Sequence, residues 1–233
     1  MLTLYKKELN YYLDNPIGYI VVILFAIFAN FLFIKDIFVI GSASMQPFFS
    51  FFPWLFLIFV PALTMRIFAE EKRINTIEVL LTLPVSETQV VLAKFFALLT
   101  LVLVSLLLTI GLPISLSFLT KIYLPEIFVA YFGSLFLASS FIGVTMFFSS
   151  QTKNQVVAFL SAVLVLFIWQ VLGTDFMATV LPRNLIDFLI YFTPFYHFQN
   201  FIKGIVDLRS IVYFFSLTIV FLFLTVVSLE KRD

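Results

Sequence analysis

From Phe95 to Thr120 the chain carries no charged residue. Coiled as an α-helix at about 1.5 Å per residue, such a run exceeds the roughly 30 Å of a bilayer's hydrocarbon core. Similar uncharged stretches recur along the sequence. They are continuous rather than alternating, so the spanning elements are helices and not barrel strands. The composition agrees: 62% of the 233 residues are hydrophobic and 12% charged, far from the roughly half-apolar makeup of a soluble domain. The expected fold is an all-α integral membrane protein, a single domain over residues 1–233.

Six spans are expected, at Ile17–Ile34, Phe48–Met65, Phe95–Leu119, Ile127–Phe148, Val156–Leu172 and Ile211–Ser228. Asp14-Asn15-Pro16 caps the first. Before it, Leu2, Tyr5, Leu9, Tyr12 and Leu13 recur at helical spacing while Lys6, Lys7, Glu8 and Asn10 fall elsewhere. That pattern predicts an interfacial amphipathic helix over residues 1–15. Pro53 and Pro61 should bend the second span or break its ends, and Gly111 with Pro113 should kink the third. Residues 174–209 are apolar in places but include Asp187, Pro194, His197, Gln199 and Asn200, which suits a re-entrant outer segment better than a seventh span.

Lysine and arginine orient the bundle, because cytoplasmic loops carry their excess. Six spans put Lys6, Lys7, Arg66, Lys72, Arg73, Lys94, Lys153, Lys231 and Arg232 on one side, against Lys35, Lys121, Arg183, Lys203 and Arg209 on the other. Both termini are therefore expected in the cytoplasm. Nothing at the N-terminus resembles a cleaved signal peptide.

Several chemistries find no support. A net charge of +1 offers no global attraction to nucleic acid. With no cysteine and one histidine there is no disulfide and no His/Cys metal cluster. His197 has no neighbouring nucleophile or carboxylate in the sequence and reads as an interfacial polar anchor. The seven glycines form no Gly-x-x-x-x-Gly-Lys-Ser/Thr loop, so any ATP-Mg would be bound by a partner chain, and no cofactor is expected in this one. No ionisable residue falls mid-span. The polar groups inside the spans, Asn30, Ser105, Thr109, Ser134 and Gln170 among them, suit helix packing, with substrate contact as the alternative. In the fourth span Ala130, Ser134 and Ala138 repeat every four residues beside Ser139 and Gly143, making a face for close helix approach. The 33 phenylalanines decide little, facing lipid and neighbouring helices or lining an apolar path.

The charged island at residues 66–94 is the exception to all this apolarity. Arg66 and Glu70 are four apart, and Glu70 and Arg73 three, so both pairs can meet on a helix leaving the second span. Ile74, Ile77, Leu80 and Leu81 then share one helical face, opposite Asn75, Glu78 and Thr82. Pro84 ends that short helix, and Ser86 to Gln89 is a capping box that starts a new one. An amphipathic piece of this length either rests on lipid headgroups or docks into a soluble partner.

The run Arg66-Ile-Phe-Ala-Glu-Glu-Lys-Arg-Ile-Asn-Thr-Ile-Glu-Val-Leu-Leu-Thr-Leu-Pro-Val, with Val91-Leu-Ala-Lys94 after it, resembles the signature of ABC-2-type transporter permeases. Lys7-Glu8-Leu9, Asn15-Pro16, Tyr191 to Phe198 and Lys203 to Arg209 extend the similarity toward the branch with the gliding-motility permease GldF and the copper-site maturation permease NosY. The resemblance implies six spans per half, a cytoplasmic coupling helix between spans two and three, re-entrant helices before span six, and a bacterial or archaeal cytoplasmic membrane. It makes Ile74 to Leu83 the coupling element, with Glu70, Glu71, Lys72, Arg73 and Glu78 as contact candidates for an ATPase. The amphipathic face adds Ile77, Leu80 and Leu81. Implied partners are an ABC ATP-binding subunit and a second permease copy or paralogue. The implied activity is ATP-driven export without bond chemistry in this chain. The alternatives are a mechanochemical permease acting on an extracytoplasmic partner, and a membrane scaffold. Where the family commonly has glycine, this chain has Asn75 and Ala93; asparagine tolerates the left-handed backbone better than most residues.

Overall fold

The computed structural model describes residues 1–40, 44–76, 85–119, 122–174, 182 and 189–230. Its elements are helices: α1 (Leu2–Asp14), α2 (Pro16–Ile40), α3 (Gln46–Ser50), α4 (Phe52–Thr64), α5 (Arg66–Arg73), α6 (Glu87–Thr109), α7 (Gly111–Leu119), α8 (Leu124–Gln151), α9 (Gln155–Leu172), α10 (Pro194–Ile202) and α11 (Leu208–Glu230). Among the described residues six stretches are long and apolar enough to cross a membrane: Pro16–Ile34, Phe52–Arg73, Glu87–Leu119, Leu124–Gln151, Gln155–Leu172 and Leu208–Glu230. The chain is an all-α multi-pass membrane protein.

Local chemistry sets most helix ends. Asn15 is extended at φ −102° and ψ 128°, as the residue before a proline prefers, and its Oδ1 accepts a hydrogen bond from the Ile17 amide at 3.3 Å. That separates α1 from α2. Gly18 then lets the two helices touch, since a Cβ there would stand 2.3 Å from the Tyr12 carbonyl oxygen. Ser86 caps α6, its Oγ accepting from the Gln89 amide at 3.3 Å. Asn154 Oδ1 caps α9 through the Val156 amide at 2.9 Å.

Proline acts in two ways in the second span. Pro53 lies in the first turn of α4, where its missing N–H costs nothing, and the chain breaks at Phe51 rather than running on from Phe48. Pro61 sits inside α4. The helix resumes as α5 beyond a turn at Met65, so the apolar stretch reaches Arg73. In the third span the break falls at Ile110, between α6 and α7, three residues before Pro113.

α8 is the centre of the bundle, in contact with α4, α5, α6, α9, α10 and α11. Its small face is consumed inside the chain. Ala130, Ser134 and Ala138 are fully buried, and a Cβ on Gly143 would meet the Thr218 carbonyl of α11 at 3.4 Å. Close backbone approach of this kind replaces the hydrophobic drive that lipid removes. Phenylalanines fill the rest: Phe25 stacks on Phe56 at 5.2 Å, and Phe48 meets Phe52 edge to face at 4.9 Å. Ile20, Ile23, Ile27 and Phe31 of α2, and Val212, Phe215, Ile219 and Phe223 of α11, stand exposed. These apolar stripes are the surfaces that a bilayer covers.

The outer segment is described only in part; 175–181 and 183–188 lie outside the described residues. Within α10, His197 is 2% exposed, which corrects its reading as an interfacial anchor. Its Nδ1 is 3.2 Å from Ser210 Oγ, its Nε2 is 2.9 Å from the Tyr191 carbonyl, and its ring stacks on Tyr213 at 4.1 Å. It ties α10 to α11. Burial holds its pKa below the ordinary histidine value, opposed by the Tyr191 carbonyl and the Asp207 charge.

Candidate coupling site

The island's charges gather where α1, α5 and α6 meet. Lys94 lies two turns inside α6 and is 1% exposed. Its ammonium stands 2.7 Å from Glu71 Oε1 of α5 and 3.1 Å from Glu8 Oε1 of α1. It also donates to the Ile67 carbonyl at 3.3 Å and lies over the Phe68 ring, 5.4 Å from its centroid. One lysine therefore serves three helices. An ion cluster so dry gains little net stability over an apolar replacement, because desolvating the charges offsets their attraction. What it does is join α1 and α5 to one ammonium of α6.

Hydrogen bonds flank the cluster along α1. Tyr12 donates to the Leu63 carbonyl at 2.9 Å, Tyr5 Oη lies 2.9 Å from Thr100 Oγ1, and Tyr11 donates to Glu70 Oε2 at 3.4 Å. Burial, then the Glu70 charge, raises the Tyr11 pKa, so its phenol stays a donor. On the opposite side of α5, Ser149 of α8 repairs the backbone after the turn at Met65. Its Oγ accepts from the Phe68 and Ala69 amides at 3.2 and 3.3 Å and donates to the Met65 carbonyl at 3.0 Å. Lys72 donates to the Ser150 carbonyl, and Ser150 Oγ donates to Ser228 Oγ at 3.1 Å. α5 is thus tied to α1 and α6 through Glu70 and Glu71 and to α8 through Ser149 and Ser150, with α9 also packed against it.

The residues singled out from the sequence separate here. Glu70 pairs with Arg73 at 3.5 Å. Among the described residues no ion pair joins Arg66 to Glu70, so that expected contact is replaced by the Tyr11 hydroxyl. Glu71 turns inward to Lys94, Lys72 reaches α8, and Arg73 is mostly exposed. Ile77, Glu78, Leu80 and Leu81 lie outside the described residues. Asn75 takes φ 58°, the left-handed backbone that its replacement of glycine requires.

Two side chains of the ion cluster escaped the sequence reading. Glu8 falls on the polar side of α1's pattern, yet it is buried, while Leu2 and Leu13 are exposed. Lys94 reads as a cytoplasmic loop charge, yet it is sealed inside. The available signal was Lys94's place in a helix capped at Ser86 and apolar on both sides of it. A lysine buried there needs a carboxylate partner.

A comparison with curated proteins returned no match. The family model described as ABC-2 family transporter protein matches residues 36–229, which takes in five of the six apolar spans, the charged island and α10. The chain belongs to the ABC-2 family of transporter membrane proteins.

Proposed function

We propose that this chain is the permease subunit of an ATP-driven exporter, with ATP-Mg bound and hydrolysed by separate ABC subunits. The supporting observation is the Glu8–Lys94–Glu71 cluster at the base of the island. The connection between α5 and α6 begins and ends on two helices that this cluster joins, and α1 is the third. A displacement delivered to the connection would carry α1, the end of span two and the start of span three together. Rigid movement of packed helices past their neighbours is the usual route from such a push to alternating access.

In this reading Glu70, Arg73, Ile77, Glu78, Leu80 and Leu81 face the ATPase, while Glu71 and Lys72 anchor α5 within the permease. Both termini are cytoplasmic, the membrane is the bacterial or archaeal cytoplasmic membrane, and a second copy or a paralogue completes the pore. The closer affinity is to the GldF-like branch, carried by the flanking motifs of the sequence.

The test is affinity purification of the intact protein from its native membranes, with the Leu80→Asp/Leu81→Asp variant alongside. A co-purifying P-loop ATPase should be lost in the variant while membrane insertion is kept. Absence of any ATPase from the wild-type preparation would sink the proposal, and equal recovery with both proteins would remove the docking face. Substrate-stimulated ATP hydrolysis in reconstituted vesicles then marks export. Stimulation by an extracytoplasmic protein alone would mark mechanical transmission instead.

A further inference from the structure

A cavity of about 390 Å³ opens where α10 meets the start of α11, within the usual range of small-molecule sites of about 300–1,000 Å³. It lies at the far end of α11 from Ser228, which bonds to Ser150 on the side of the ion cluster. Its walls are Tyr191, His197, Leu208, Arg209, Val212 and Tyr213. Two of the polar walls are already engaged. His197 holds Ser210 and the Tyr191 carbonyl, and Tyr213 donates to the Phe192 carbonyl at 2.6 Å. Arg209 and Tyr191 are both exposed, and among the described residues no ion pair or hydrogen bond engages the Arg209 guanidinium or the Tyr191 hydroxyl. None of the lining residues is acidic. The nearest carboxylate in sequence, Asp207, accepts the Arg209 amide at 3.0 Å.

A guanidinium and a phenol, both open to the cavity, specify an anion with more than one acceptor oxygen. The cavity's depth gives the source. The 23 residues of α11 reach about 34 Å at 1.5 Å per residue, against a hydrocarbon core of about 30 Å, so Arg209 in the first turn stands at the core's edge. Aromatic side chains gather at the same level. Trp169 donates to the Phe192 carbonyl at 2.8 Å beside Tyr213, and Tyr191 lies 5.9 Å from the Tyr196 ring. Such belts sit among lipid headgroups. From the cavity, Leu208 and Val212 continue along one face of α11 into the exposed Phe215, Ile219 and Phe223. A ligand there meets a cation at its head and hydrocarbon-facing side chains below.

We propose that this cavity holds the headgroup of an anionic phospholipid, of the phosphatidylglycerol type, in the leaflet at this end of the bundle. Arg209 donates to the phosphate and the Tyr191 hydroxyl to a second headgroup oxygen, while an acyl chain lies along Val212, Phe215 and Ile219. Phosphatidylcholine and phosphatidylethanolamine carry the same phosphate, but their cations would stand beside Arg209 with no carboxylate in the walls to receive them. A bound headgroup would pin the start of span six against α10. The inference rests on the membrane-spanning fold and not on the transport reading.

Native mass spectrometry of the detergent-purified chain, given equimolar dioleoyl phosphatidylglycerol, phosphatidylethanolamine and phosphatidylcholine, tests it. Wild type should retain phosphatidylglycerol about tenfold over the other two, as expected for one charge-assisted contact. Arg209→Gln should bring the three lipids to parity. Val212→Trp, which fills the cavity and keeps the charge, should lower retention of all three. Both side chains are exposed, so neither substitution removes buried packing. Equal retention by wild type, preference for either zwitterionic lipid, or an unchanged pattern in either variant would overturn the proposal. Wild-type dimers without lipid that separate in Val212→Trp would overturn it in favour of a second copy of the chain. Addition of millimolar glycerol 1-phosphate separates the sources. Persistence of the bound lipid supports a lipid site, and its displacement would overturn the lipid in favour of the free phosphate ester.

Discussion

Replacing Lys94 with methionine isolates what the ion cluster contributes. Methionine keeps an apolar stem of similar reach and removes only the charge that Glu8 and Glu71 share. Deleting one partner of a buried pair costs about 3–5 kcal/mol, because the remaining charge stays desolvated. The two carboxylates will not suffer equally. The Glu71 side chain is 20% exposed and can turn toward water, whereas Glu8 is 9% exposed and cannot. Most of the penalty therefore falls on Glu8. Adding Glu8→Gln to the Lys94→Met background should recover much of it, since a neutral amide costs about 1–3 kcal/mol to bury instead of a full charge. The cycle of wild type, two single variants and the double variant should show a coupling of about 1–3 kcal/mol. Equilibrium unfolding in mixed micelles, followed by the fluorescence of Trp54 and Trp169, measures all four. A Lys94→Met cost below about 1 kcal/mol, or additive single effects, would refute the claim that the two charges depend on each other.

Ser149→Ala should destabilise by about 1–3 kcal/mol in the same assay, because it leaves the Phe68 and Ala69 amides without the hydroxyl they share. Gly133→Ala should cost about 1–3 kcal/mol, since its Cβ would stand 2.3 Å from Phe201 Cβ and force α10 off α8. Gly111→Ala meets nothing within 4 Å and should be neutral or stabilise by up to about 1 kcal/mol. The buried His197 resists protonation in the folded state, so the unfolded chain binds the extra proton first. Stability should be flat above the ordinary histidine pKa of about 6.5 and decline as pH falls below it. Thermal unfolding across that range should lose this slope in His197→Asn.

The comparison of Ser86 with Glu8 shows where sequence reasoning stops. The Ser86 cap is legible because its partner, the Gln89 amide, is three residues away, and any helix starting there creates that contact. Glu8 obeys the local pattern that places it on a polar face, but packing against α6 turns that face inward. The candidate site was legible in the same uneven way. Its location in the island could be read from charge density, while the direction each charge faces could not. Glu70 and Glu71 are neighbours in the sequence. The structure turns one to Arg73 and Tyr11 and the other into the buried cluster.

By itself, then, the sequence determined the membrane-spanning helices and the caps at Asn15 and Ser86. Hydropathy, capping and backbone preference act within a few residues, so they survive in any fold the chain adopts. Only the tertiary structure decided that Lys94 is buried between two carboxylates from different helices, that α8's small face is spent inside the chain, and that His197 is sealed against α11. Those outcomes depend on which helices lie side by side. In a bilayer, where apolar surface is satisfied equally by lipid and by protein, close packing and a few buried polar contacts select that arrangement.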